Sequence, residues 1–158
     1  MSDRAEDAGI KAKTRHGEMT IDQLAEIQPG LAKIMQDVSR EYSNAYYAAK
    51  GGNWKLAAHE LGLIRAEFRT AKVTRPKFAA DLDAFDADYI VPILKAIQSK
   101  DWGACEEAFE KGSEGSDKYH DKYGFNYIRF ILPKEAPSDM HLGPTDSFIR
   151  KARPGQRP

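Results

Sequence analysis

From Ile21 to Tyr123 the apolar side chains recur at steps of three and four, the period of one face of an α-helix, with breaks at Gly51-Gly52, Arg75-Pro76 and Ser99-Lys100-Asp101. The pattern predicts four helices, over 29–50, 53–74, 76–99 and 101–123, in an all-α, antiparallel up-down-up-down four-helix bundle. The first helix carries Leu31, Ile34, Val38, Tyr42, Ala45 and Ala49 on one stripe. A separate short helical turn over 21–28 precedes it, because Pro29 is tolerated at a helix start but not inside one. The second opens with Asn53 as its cap and continues through Ala57, Leu61, Ile64 and Phe68. The third aligns Phe78, Leu82, Phe85, Tyr89 and Ile93, with Pro92 forcing a kink or a wide turn. The fourth, capped by Asp101, carries Trp102, Cys105, Phe109, Gly112, Ser116, Tyr119 and Tyr123, with His120 at the edge of that stripe. Trp54, Leu61, Phe85, Phe109 and Tyr119 are expected to be buried.

Beyond Gly124 the periodicity changes. Residues 125–133 begin by alternating apolar and polar positions, as an extended segment laid along the helices would. The chain thus divides into an N-terminal arm (1–20), a bundle with its extended segment (21–133) and a Pro-rich basic C-terminal tail (134–158). Both ends have little apolar surface to pack alone, and are expected to engage a partner protein. Phe148 and Ile149 are the expected apolar anchors, with Arg150, Lys151 and Arg153 pairing to carboxylates at the rim. Homo-oligomerisation is compatible with the same arrangement.

Composition narrows the function classes. In 158 residues, Lys+Arg and Asp+Glu both number 24, so no global field attracts nucleic acid or an anionic bilayer. No apolar run approaches the roughly 20 residues that span a membrane. No secretory core follows Met1, which leads to the expectation of a cytoplasmic protein. The lone Cys105 excludes an internal disulfide, and its place on the core stripe reads as an inert thiol.

The richest chemical signal is Ser116-Asp117-Lys118-Tyr119-His120, followed by Tyr123-Gly124-Phe125. Covalent c-type haem requires Cys-x-x-Cys-His, two thiols for the vinyl groups and an imidazole for iron. Here Ser116 and Tyr119 stand at the thiol positions and His120 at the ligand position, so thioether attachment is chemically excluded. Together with Gln28-Pro29-Gly30-Leu31, Tyr46-Tyr47-Ala48-Ala49-Lys50, Asn53 to Leu61, Lys100-Asp101-Trp102 and the segment from Phe125 to Pro133, this site resembles the cytochrome c′-like four-helix-bundle family. The resemblance implies a haem pocket between helices; His120 itself reads either as axial ligand of a haem held without covalent links or as a leftover surface or edge histidine. Tyr119 is expected to fill volume there and help close a vacated pocket.

Other candidates are weaker. His59 and Glu60 lack the paired Glu-x-x-His of di-metal bundles, and Asp81, Asp83, Asp86 and Asp88 read as a solvated acidic face without calcium-loop spacing. The aromatic residues Tyr42, Tyr46, Tyr47, Trp54, Phe68, Phe85, Trp102 and Phe109 read as core before they read as a ligand cavity. No catalytic constellation is recognisable. The resulting expectation is a non-catalytic, haem-less accessory or structural subunit of a larger assembly; the alternative is a protein that binds a small ligand or non-covalent haem through His120.

Overall fold

The computed structural model describes residues 10–147 and is mostly helical. Helices α2 (Leu31–Lys50) and α3 (Trp54–Thr74) form a hairpin across Gly51-Gly52, where Gly52 takes φ 80°, a backbone state that favours glycine. Asn53 closes the turn as expected: its side chain accepts from the Leu56 amide at 3.2 Å.

The predicted third helix is present but not uniform. A 3-10 turn (Pro76–Phe78) leads into α4 (Ala79–Phe85), then a π-helical turn (Asp86–Ile90), then α5 (Val91–Ser99). Pro92 has no amide hydrogen, and its ring would collide with the carbonyl four residues back in a regular helix. The chain answers by widening, so that the Val91 amide reaches the Asp86 carbonyl five residues earlier. Helix α6 (Trp102–Lys122) starts on Asp101, whose carboxylate accepts from the Ala104 amide at 3.0 Å. Helix α2 packs on α3 and α6, and α5 packs on α3 and α6.

Ile34, Leu61, Ile64, Ile90, Ile93, Cys105 and Phe109 are the large side chains sealed completely in the core. Of the five expected to be buried, Leu61 and Phe109 are, whereas Trp54, Phe85 and Tyr119 are half-buried. For Phe85 and Tyr119 the reason is a cavity, described below, which their rings line.

The described parts of the two arms carry structure of their own. Residues 11–20 form an antiparallel hairpin, β1 (Lys11–Thr14) and β2 (Gly17–Thr20), with Lys11 opposite Thr20. Thr20 then caps a short α1 (Ile21–Glu26) in a reciprocal capping box with Gln23. The segment after Gly124 is irregular, and it seals one side of the helices: Phe130 meets the Tyr42 ring edge-on at 5.4 Å, and the Tyr47 hydroxyl donates to the Pro133 carbonyl. Part of the tail expected to await a partner packs on its own chain. Leu142 is 7% exposed within the core, and Asn53 Nδ2 donates to the Gly143 carbonyl at 2.9 Å. The anchors Phe148 and Ile149 and the cations Arg150, Lys151 and Arg153 lie outside the described residues.

Candidate functional site

A cavity of about 780 Å³ opens between α2, α4 and the C-terminal half of α6, roofed by the segment after Gly124. Its wall is mostly apolar and rich in rings. Tyr42, Phe68, Phe78, Phe85, Tyr119, Tyr123, Phe125 and Phe130 all contribute, alongside Met35, Val38, Leu82 and Ile90.

Ser116, Tyr119 and His120, singled out from the sequence, all line this cavity and all are half-buried. Their periodicity explains the convergence: on α6, positions 116, 119 and 120 share one face with Gly112 and Tyr123. The Ser116 hydroxyl donates to the Ser113 carbonyl at 2.8 Å, satisfied within its own helix. Tyr119 does not close the pocket, contrary to expectation. Its ring stands edge-on to Phe85 at 5.8 Å and forms part of the wall, leaving the volume open. Burial, helped by the charges of Asp81 and Asp88, pushes the Tyr119 phenol above its ordinary value, so it is a neutral hydroxyl at physiological pH.

His120 tests the haem reading. An imidazole that ligates iron is ordinarily pinned by a hydrogen bond from its other nitrogen to an acceptor. The Nδ1 of His120 is buried and has no hydrogen-bond partner. Volume and apolar lining suit a large planar ligand, but the residues present do not fit a pinned axial ligand, and no thiol is available for attachment. Among the described residues no group of three or more His, Cys, Asp and Glu side chains is placed to hold a metal ion.

Two glycines of α6 let rings of neighbouring segments approach the helix, and one of them, Gly112, lines the cavity. A Cβ on Gly112 would come within 2.3 Å of the Tyr42 hydroxyl oxygen. One on Gly115 would stand 2.4 to 2.7 Å from atoms of the Tyr89 ring. Both rings approach α6 this closely only because the helix is bare there. Behind the wall, Phe109 and Tyr46 continue an edge-to-face aromatic cluster with Tyr42, Tyr47 and Trp102 at centroid distances of 5.0 to 5.5 Å. The aromatic set expected as plain core is therefore divided: Tyr42, Phe68 and Phe85 face the cavity.

The acidic run on α4 and the π turn is also not simply solvated. Asp81 accepts from Lys122 Nζ at 2.6 Å and from the Tyr123 hydroxyl, Asp83 pairs with Lys72, and Asp86 pairs with Arg65 at 2.9 Å. These bonds tie the third helical segment to α6 and α3. The hydrogen bonds from Lys122 and Tyr123 hold the Asp81 carboxyl below its ordinary value.

Periodicity did not mark Arg75, Lys77 and Arg129, which line the cavity together with Phe78. Phe78 was on the predicted stripe, but the cations sit at helix ends and in a loop, where periodicity carries no signal. Comparison with family models, with curated proteins and with solved structures found no match to this chain.

Proposed function

We propose that the helical segments form an antiparallel up-down-up-down bundle whose role is to bind a small apolar ligand between its helices, without transforming it. The observation that carries this reading is the ring-lined cavity of about 780 Å³, within the range of roughly 300–1,000 Å³ typical of small-molecule sites. A core that is only structural closes such a volume, because unfilled apolar space forfeits dispersion contacts. Here the rings of Tyr119 and Phe85 remain part-exposed to it.

The accessory-subunit reading rests on the vacated haem-attachment positions and on the two tails, 1–20 and 134–158, whose expected anchors at 148–153 lie outside the described residues. Haem held without covalent links is a special case of the ligand reading, in which His120, the one imidazole on the lining among the described residues, would have to ligate iron without a hydrogen bond to pin its other nitrogen.

Titration with Nile red, a neutral apolar fluorophore, tests the proposal. One-to-one saturable binding is expected, weakened in Ser116→Phe, which intrudes on the volume from α6 while the far-ultraviolet circular dichroism stays unchanged. Absence of saturable binding by the wild-type chain would overturn the reading. Haemin titration decides the special case: a Soret band that disappears in His120→Ala assigns iron ligation to that imidazole, and a band unchanged by the substitution denies it.

A further inference from the structure

The two ends of the cavity differ in chemistry. Tyr42, Phe68 and Ile90, all buried, close its inner end. Its outer end lies where the start of α2, the end of α3, the 3-10 turn and the end of α6 converge. There the described lining carries Arg75, Lys77 and Arg129 against one carboxylate, Asp81.

That carboxylate is already engaged by Lys122 and Tyr123, and Arg129 is engaged by Asp121 at 2.6 Å and Asp117 at 3.8 Å. Arg75 and Lys77 have no carboxylate partner among the described residues. The Arg75 guanidinium donates through Nη1 to the Thr74 carbonyl, and the Lys77 ammonium lies 4.7 Å from the centre of the Phe78 ring. Phe78 itself is buried and lines the cavity, so the ammonium sits over an aromatic ring that belongs to the cavity wall.

The start of α2 adds to the same field. Gly30 gives the helix no side-chain cap, and its first turn contains no acidic residue. Leu31 and Ala32 of that turn line the cavity, and Arg75 Nη2 lies 3.9 Å from where a Cβ on Gly30 would stand. A guanidinium with free donors and the positive end of a 20-residue helix therefore share one rim of an apolar chamber.

We propose that the cavity takes an amphipathic anion, with a ring-bearing apolar body in the aromatic interior and a carboxylate or phosphate head held by Arg75 and Lys77 at the start of α2. The inference rests on the ligand-binding reading above and adds the chemical class and the orientation of the ligand. Burial of the body supplies most of the affinity, since it removes apolar area from water. The head supplies selectivity: bidentate, charge-assisted hydrogen bonds to a guanidinium discriminate an anion from its neutral ester.

Three fluorescent probes test it on the full chain: 1-pyrenebutanoate, its methyl ester and 1-pyrenebutyl phosphate. The butanoate is expected to bind at least about tenfold more tightly than the ester, a preference that shrinks as salt is raised. In Arg75→Gln/Lys77→Gln the preference disappears while the ester binds as in wild type, which shows that the cavity is intact. Arg75→Lys retains the charge and loses most of the preference, because the fork is gone. Comparison of the butanoate with the phosphate identifies the head the rim prefers. Equal binding of anion and ester by the wild-type chain, or a preference that survives the double substitution, overturns the inference and leaves the cavity reading standing. Failure of all three probes, ester included, overturns both.

Discussion

The Tyr42 hydroxyl donates to the Phe109 carbonyl at 2.6 Å, and it reaches α6 across ground that Gly112 leaves bare. This bond ties α2 to α6 at the inner end of the cavity, and burial raises the phenol well above its ordinary value, keeping it a neutral donor. Gly112→Ala would push a methyl group into the hydroxyl, so it is expected to destabilise the fold by about 1–3 kcal/mol, as overpacking does. Gly62 on α3 is the control, with nothing within 4 Å of its would-be Cβ. Gly62→Ala is expected to stabilise by about 0.5–1 kcal/mol through helix propensity. Chemical denaturation of both variants checks the opposite signs.

Glu41 makes stability fall as pH rises. Its carboxyl sits between α2 and α3 with one oxygen buried and unpartnered; burial, then the charges of Glu67, Glu60 and Asp37, outweigh Arg40 and push it up from 4.5 to about 7. The folded chain thus holds this proton more tightly than the unfolded chain does. The contribution is fully present below about pH 4.5, declines between there and pH 7, and is lost above. Glu41→Gln keeps the shape without the charge, so it should stabilise by on the order of 2 kcal/mol at pH 8 and by little at pH 4. Denaturation midpoints of both proteins across this window would show a gap that widens with pH; a constant gap contradicts the assignment.

Cys105 is expected to be silent in the native state. It is fully buried, and desolvation, reinforced by the charge of Asp101, raises the thiol to about 11. A disulfide reagent such as DTNB should react only as fast as the core opens, and at once in denaturant. Rapid reaction of the folded protein would contradict the buried placement.

Leu142 makes the early part of the C-terminal tail structural. Its side chain enters the core beside the α2–α3 turn, and the Leu142 carbonyl oxygen lies 2.8 Å from where a Cβ on Gly51 would stand. Leu142→Ala is expected to destabilise by about 2–5 kcal/mol, the range for a buried leucine. Truncation after residue 133 should cost at least as much. A truncated chain with unchanged denaturation midpoint would show that the tail adds nothing to the fold.

The helices were legible from the sequence because each stripe is local: residues three and four apart share a face whatever the rest of the chain does. Asn53 and Asp101 announced their caps for the same reason, and Pro92 its wide turn, since both effects act within one helical turn. The sequence also determined that Ser116 and Tyr119 cannot form thioethers, a matter of side-chain chemistry alone. What the tertiary structure decided was where space remains. Whether Tyr119 plugs a pocket or becomes its wall depends on Phe85, which is separated from it by more than thirty positions, and on how closely Tyr42 approaches Gly112 from another helix. It also decided which charges are spoken for. Asp81 is engaged by Lys122 and Tyr123 across helices, while Arg75 and Lys77, unremarkable at a helix end, have no carboxylate partner among the described residues at the cavity rim, because ion pairing is settled by distances in space that no local pattern encodes.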